Sequence, residues 1–423
     1  MPRVLTAVLR GVYAQLVEVE DAAPETAQGL AAAVARRVRA DVTGVVLYGA
    51  LDAAGRLLPV RGAVCVAVAA QKRGVCVVVP RMNGPEAAGV AGADVRQAET
   101  LDEVLRFLRG AGELARPEPV APADTLDRLE VPGDEHARRA VELAAAGAHT
   151  LLVVGPKGPE AMRVARSLAS ALPPLCALEA HEATVIASVT GLLGPGRSAI
   201  HRPPLRTPHH TVTREGLLGG DRPGEVSLAH AGVLALEDLP EYPKGLLRPL
   251  WDTLASGAAQ TVDGAVPARF ILAATMPPCP CGWAGHQRLR CTCSSQSVER
   301  HWQRMDTSLF DVCVTVAGEK RPGVHARSPG APAEPVQERV ARARAIQLER
   351  GELNGRVPLE HVTRAWGTDA AAEAVLRSIP AKPREIVRVL RLARTAADLE
   401  GDGTVGADHV RTALDYRVDR AGP

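Results

Sequence analysis

The sequence predicts an α/β protein: a parallel sheet in the middle, a smaller mixed region before it and a helical region after it. Three observations lead there. From residue 131 apolar runs alternate with helical ones, HTLLVVGP, AMRVARSLASAL, GVLALEDLP and ARFILAAT, and strands separated by helices form parallel sheets covered on both faces. Two stretches of linker composition, RPEPVAPAD at 116–124 and EKRPGVHARSPGAPAEP at 319–335, interrupt the chain. Near its end, PVQERVARARAIQLERG and PREIVRVLRLARTAADLEG place apolar residues every three or four positions, the pattern of packed helices.

Ahead of the parallel region, GVVLYGAL (44–51), RLLPVRGAV (56–64) and GVCVVVP (74–80) read as strands, by their valines and bounding turn residues. Segments 29–41 and 100–109 have helical periodicity. The expected organisation is an N-terminal region 1–112, a linker 113–130, a parallel-sheet core 131–318, a linker 319–335 and a helical region 336–423. A chain of 423 residues exceeds what one core usually organises. With 46% hydrophobic residues but only 3% aromatic ones, its cores must be built from Ala, Val and Leu.

Composition also excludes some functions. A net charge of +2 gives no general attraction to nucleic acid, leaving only local basic patches. No stretch of eighteen apolar residues exists, so no membrane span is expected, and MPRVLTAVLRGVYAQLVEVE lacks the pattern of a signal peptide. Four of the eight cysteines fall between 279 and 293, which favours a metal site in a reducing cytoplasm over a disulfide framework.

A strand, a glycine-rich loop and a helix form the geometry that cradles phosphates. Here Leu151–Val154 leads into GPKGPEAM (155–162). A working loop needs G-x-x-x-x-G-K-[ST]. Gly155 and Gly158 are present, but Glu160, Ala161 and Met162 stand where the second Gly, the Lys and the Ser/Thr belong. Ala161 removes the cation for the β- and γ-phosphates, Met162 removes a metal-binding hydroxyl, and Pro159 deletes one N–H. Lys157 offers charge from a different point. Some eighty residues on, GVLALEDLPEY ends a strand in Glu237 and Asp238.

PPLRTPHHTV (203–212), LLGGDRPGEVSLAHAGVLALEDLPEY and VPARFILAATMPPCPCG (266–282), with EVPGDEHARRAVELAAAGAHTLLVVGP upstream and LRLARTAADLEGDGTV downstream, closely resemble the Mg-chelatase-like AAA+ ATPase family of the ComM/YifB type. The resemblance runs over nearly all of residues 44–420. It implies an S5/Lon-like N-terminal domain, here abbreviated, then an AAA+ core and a helical lid. It also implies ATP and Mg²⁺ as cofactors and a link to DNA processing.

Carried over residue by residue, the resemblance exposes departures. The acidic pair is inverted, Glu237-Asp238, which displaces ligand and base by about 1 Å each. Pro277 replaces the asparagine that senses the γ-phosphate. Leu309 and Ser308 stand in the arginine-finger string anchored on Phe310-Asp311, with Arg304 a conceivable substitute. Arg384 keeps the place of the lid's sensor arginine. Where Lon-type proteases carry a catalytic lysine, this chain has Val64, so proteolysis is not expected. ATP and Mg²⁺ binding are therefore in doubt and hydrolysis is not expected.

Cys279, Cys281, Cys291 and Cys293 form C-x-C…C-x-C. Either they hold structural zinc as a tetrathiolate or they remain free, oxidisable thiols. Cys65, Cys76, Cys176 and Cys313 sit in apolar runs and read as core residues. His201, Arg202, Arg206, His209 and His210 make a basic loop over 201–210, either facing DNA or simply solvated. Asp398, Glu400, Asp402 and Gly403 have calcium-loop spacing, but His409 takes the place of the final Glu, so a turn between helices is expected. Three functions remain open: a non-hydrolysing scaffold or regulator that binds an intact AAA+ paralogue, a weak ATPase of DNA processing, and a decaying paralogue.

Overall fold

The computed structural model describes residues 3–19, 22–39, 42–120, 132–194, 196–286, 288–305, 307–316, 335–358, 361–362 and 366–417. Its first sheet opens with a hairpin. Strands β1 (Val4–Arg10) and β2 (Tyr13–Glu18) pair antiparallel around Gly11, whose φ of +56° suits so tight a turn. There follow α1 (Gly29–Ala35), β3 (Val42–Leu47), β4 (Ala50–Leu51), β5 (Leu57–Leu58), α2 (Ala63–Arg73), β6 (Cys76–Pro80), α3 (Gly84–Ala88), β7 (Val95–Ala98) and α4 (Leu101–Leu108). The strand order is β2-β1-β3-β6-β7, parallel from β1 to β7.

The strand expected at 74–80 and the helix at 100–109 are present, and the 29–41 helix ends at Ala35. RLLPVRGAV is different. It is extended only at Leu57–Leu58, because Gly62 turns into the left-handed region at φ +75° and Ala63 begins α2. Val64, at the place of a protease lysine, is a buried residue of that helix. The linker expected at 113–130 is described only to residue 120, and that at 319–335 lies outside the described residues except for Pro335.

The second sheet carries the candidate site. Its elements are α5 (Glu135–Gly147), β8 (Leu151–Val154), α6 (Pro159–Ala171), α7 (Ala177–Thr190), β9 (Leu205–Arg206), α8 (Arg214–Leu218), α9 (Glu225–Leu228), β10 (Val233–Leu236), α10 (Lys244–Ser256), the hairpin β11 (Ala258–Thr261) and β12 (Gly264–Pro267), β13 (Ile271–Met276), α11 (Ser295–Gln303) and β14 (Val312–Thr315). The order is β14-β8-β13-β10-β9, and all pairings are parallel. The pleat sorts the strand residues in alternation. Leu151, Val153, Ala235, Ala273 and Val314 face one apolar cluster, while Leu152, Val154, Leu234, Leu272 and Ala274 face another. Three continuously buried strands, β8, β10 and β13, explain why the sequence shows apolar runs without polar alternation.

The C-terminal helices are α12 (Val336–Glu349), α13 (Ala370–Ser378), α14 (Pro383–Glu400) and α15 (Ala407–Asp415). Val340, Ala343, Leu392 and Ala396 join the first cluster, so α12 and α14 pack on the sheet together with α5 and α6. On the opposite flank the N-terminal region docks through Val12 and Cys65 against Ile186, Val189 and Val266. Buried Glu86 accepts from Ser188 Oγ at 2.7 Å across that seam. Among the described residues no helix is long and apolar enough to cross a membrane.

A buried polar network ties α14 to the sheet. The Asp398 side chain has no exposed surface and accepts from Arg350 at 2.8 Å, Arg394 at 3.0 Å and Asn354 at 2.8 Å. Asn354 also reaches Thr395, whose hydroxyl contacts His149 Nε2 at 2.8 Å. His149 Nδ1 lies 3.1 Å from Asp311, and Arg391 approaches the same carboxylate at 3.5 Å. Burial pushes the His149 pKa below its usual value. For Asp311 burial acts upward, but Arg391 and His149 overcome it and hold the carboxyl well below the usual range. Removing one member leaves its partners charged and unmatched, which costs about 3–5 kcal/mol for a buried pair. Asp398→Ala should therefore lower unfolding stability by about that much in urea titration. By contrast Asp408→Ala, on the exposed pair with Arg411, should cost under about 1 kcal/mol.

Candidate functional site

In an open parallel sheet, ligands bind beyond the carboxyl ends of the strands. Here three loops meet at those ends. Gly155 N–H, after β8, donates to Met276 O at 3.2 Å, and Lys157 N–H donates to Gly282 O at 2.9 Å. Asp238 N–H, after β10, donates to Thr275 Oγ1 at 3.0 Å. The loop after β8 is thus joined by backbone bonds to β13 and the loop after it, and the loop after β10 is tied to β13 through the Thr275 hydroxyl.

Each predicted residue now has a place. Gly158, at φ +150°, precedes Pro159 at the start of α6. Lys157 is exposed, and its aliphatic stem lies over Gly282, where an added Cβ would come within 2.5 Å of Lys157 Cγ. Glu160 turns to Arg163 one helical turn on, at 2.8 Å. Ala161 and Met162 are 5% and 7% exposed and belong to the core beneath the sheet. Glu237 is exposed and Asp238 half-buried in a left-handed conformation at φ +48°. Burial raises the Asp238 pKa, with Lys157 opposing it and Glu241 adding to it.

The remaining expected positions are more scattered. Pro277 O accepts from His301 Nε2 at 2.8 Å, and Pro278 O accepts from Trp302 Nε1 at 3.1 Å, which anchors this loop to α11. Leu309 contributes only its carbonyl, to Thr150 Oγ1 at 2.9 Å. Arg304 is exposed at the end of α11. Arg384 is exposed on the first turn of α14, and among the described residues it makes no ion pair with the loops above. The side chain of Ser308 lies outside the described residues.

The four clustered cysteines do come together. Their Sγ atoms lie within 4.8 Å of one another, with Cys279–Cys281 at 3.4 Å and Cys281–Cys291 and Cys279–Cys291 at 3.6 Å. Four thiolates about 2.3 Å from zinc would be separated by roughly 3.8 Å along the edges of a tetrahedron. Backbone N–H groups support the sulfurs, Ala284 to Cys279 and Cys293 to Cys291, both at 3.4 Å. The Trp283 N–H bond lowers the Cys281 pKa to about 6. Of the other cysteines Cys65 is buried, Cys76 and Cys313 are half-buried, and Cys176 is exposed. Cys176 departs from the expected core position because it caps the start of α7, with its N–H bonded to Glu179.

The calcium-like stretch is a turn between α14 and α15. Asp398 points inward to its arginines, while Glu400 and Asp402 face His409 Nε2 at 3.1 and 3.3 Å. His409 Nδ1 accepts the Gly406 N–H at 2.9 Å, so Nε2 carries a proton where a cation would otherwise sit. In the basic loop, Arg206 is bound by both oxygens of Glu225 at 2.6 and 2.8 Å. Arg202 and His209 remain exposed and His201 is half-buried. The His209 and His210 rings lie 4.0 Å apart, and Tyr242 Oη donates to Pro208 O at 2.6 Å.

Against this geometry, the family description "Magnesium chelatase, subunit ChlI" matches residues 127–320 and its C-terminal counterpart matches 330–417. The competence protein ComM of Haemophilus influenzae is 33% identical over 393 residues, 86% of this chain and 76% of that protein. The chain belongs to the magnesium chelatase family. Within its ComM/YifB group, YifB of Escherichia coli is 32% identical over 88% of this chain and 77% of its own length. A Mycobacterium tuberculosis protein is 36% identical over 88% and 78%. Among solved structures, a full-length MCM homologue from Methanopyrus kandleri aligns over 70% of this chain and 58% of its own, at TM-score 0.39 and 15% identity; so distant a likeness carries nothing further.

Sequence reasoning did not single out Gly282 or Thr275, which join the loops of this magnesium chelatase-family site. The signal for Gly282 was its place directly after Cys281. One consequence concerns α6. Because Met162 fills core space where the family motif has a hydroxyl, Met162→Thr should destabilise the chain by about 2–4 kcal/mol through lost burial and a residual cavity. A shift of the urea midpoint at unchanged slope measures it.

Proposed function

We propose that this AAA+ protein of the magnesium chelatase family is a non-hydrolysing scaffold or regulator in DNA processing. The observation that carries the reading is the burial of Ala161 and Met162 at the places of the phosphate-binding Lys and the Mg²⁺-binding Ser/Thr. These residues do not fit ATP and Mg²⁺ as the family motif would hold them: neither offers a charge or an oxygen, and neither reaches out of the core. Pro277 and Leu309 add to the deficit. The parts of a phosphoryl-transfer site act on the same developing charge, and a finger arginine alone is worth roughly 10³–10⁵ in rate in GTPases.

The link to DNA processing comes from the name of the H. influenzae competence protein. Exposed Arg202 and His209 support a DNA-facing role for the 201–210 loop, although Glu225 already neutralises Arg206. The reading includes a cytoplasmic location, since a cluster of reduced thiols needs a reducing compartment. It also includes an intact AAA+ paralogue as partner, because a subunit without its own phosphate grip depends on a neighbour's nucleotide to complete a shared seam.

Two measurements test this reading. The melting temperature should not rise with millimolar ATP and Mg²⁺, although a ligand at a hundred times its Kd would stabilise by about 2.7 kcal/mol. A reproducible rise with ATP and none with AMP overturns the reading in favour of a weak ATPase. In light scattering, the chain alone should stay a monomer or small oligomer with or without ATP, and should form a mixed complex with an ATPase-competent paralogue. A hexamer of this chain alone, formed on adding ATP, is incompatible with the proposal.

A further inference from the structure

We propose that Cys279, Cys281, Cys291 and Cys293 hold one zinc ion as a structural tetrathiolate, and that this metal knuckle clamps the Lys157 loop against the end of β13. The inference is independent of whether nucleotide binds.

The sulfur separations are the first support. Among Cys279, Cys281 and Cys291 distances of 3.4–3.6 Å, with Cys293 within 4.8 Å of each, are far beyond the 2.05 Å of a disulfide and near the edge of a zinc–thiolate tetrahedron. Cys279 is fully buried and the other three are half-buried, so an ion between them would be largely screened from water. The backbone N–H groups of Ala284 and Cys293 already point at sulfur, as they would to stabilise thiolates around a metal.

The second support is what the intervening segment lacks. Among the described residues from 283 to 290, no side chain is buried, and Leu289 is 46% exposed. Such a segment has no core of its own, and in that situation metal-binding energy serves as folding energy. Its two ends are nevertheless fixed. His301 and Trp302 of α11 hold Pro277 and Pro278, and Ser294, directly after Cys293, caps α11 through Ser297 N–H.

The third support is the contact that makes the knuckle more than a local staple. Gly282 follows Cys281, sits at φ +82° and accepts the Lys157 N–H. Its missing side chain leaves the space that the Lys157 stem crosses. With metal in place Cys281 is fixed, Gly282 is fixed with it, and Lys157 is held over the strand ends. Without metal that hydrogen bond loses its rigid acceptor.

Elemental analysis and site-resolved hydrogen exchange on the full chain, purified without chelator, test both halves. The expected result is about one zinc per chain, lost in a Cys291→Ser/Cys293→Ser variant. Lys157 N–H should then exchange roughly tenfold faster or more, while the amides of β8 keep their protection. Should that variant fail to fold, chelator treatment of the wild-type chain gives the same comparison. Cobalt added to the stripped protein should then produce the visible absorption of a tetrahedral thiolate complex. Gly282→Ala keeps all four thiols, so it should retain zinc and still speed Lys157 exchange. Substoichiometric zinc that is unchanged in the double variant overturns the site. So do disulfides among the four cysteines under reducing purification. Stoichiometric zinc whose removal leaves Lys157 exchange unaltered overturns the clamp.

Discussion

The carboxylate of Asp398 is the point on which the arrangement of this protein depends. It is fully buried in the last turns of α14, and it survives there because Arg350, Arg394 and Asn354 all donate to it. A buried charge must be matched or it destabilises the fold by several kcal/mol, so these partners cannot be separated cheaply. Through Asn354 and Thr395 the network reaches His149, two residues ahead of β8, and Asp311, directly ahead of β14. Two adjacent strands of the site's sheet, β8 and the edge strand β14, are therefore referenced to one helix. The C-terminal helices share the sheet's apolar core as well, which makes them a wall of the core and not a separate cap resting on it.

Viewed from that constraint, the retained sequence strings have two different reasons to exist. ARTAADL contains Arg394, Thr395 and Asp398, and FD contains Asp311: these are network residues, needed for packing whatever happens at the phosphate loop. The loop residues that would face a nucleotide carry no such duty. Ala161 and Met162 turn the start of α6 into core, and Glu160 pairs along its own helix. The packing network and the phosphate loop thus draw on different side chains. The cysteine knuckle belongs with the scaffold, since its contacts run to α11 and to the backbone of the Lys157 loop.

Much of this was legible beforehand. The parallel sheet could be read because β8, β10, β13 and the helices between them leave long apolar runs bounded by turn residues. The candidate loops were visible because motif spacing is local: Gly155 to Met162, Glu237-Asp238 and the four cysteines are each short stretches. Misreadings arose where one residue reversed a local trend. RLLPVRGAV has strand composition, yet Gly62 takes a left-handed turn and the next residues join a helix that packs beneath the sheet. Cys176 lies in an apolar run but serves as a helix cap. The basic loop counts Arg206 as a free cation until Glu225, nineteen residues away, claims it with two hydrogen bonds.

By itself the sequence determined the fold class and the family, because periodicity and motif identity are properties of neighbours along the chain. Tertiary structure alone decided that Asp398 is a buried hub, that His409 presents a proton to Glu400 and Asp402, and that Gly282 lies beneath Lys157. Each of these depends on which groups, 9 to 125 positions apart for His409–Glu400 and Lys157–Gly282, are brought within hydrogen-bonding reach. Charge pairing and steric contact act through space, and only the packed sheet and its helices fix those distances.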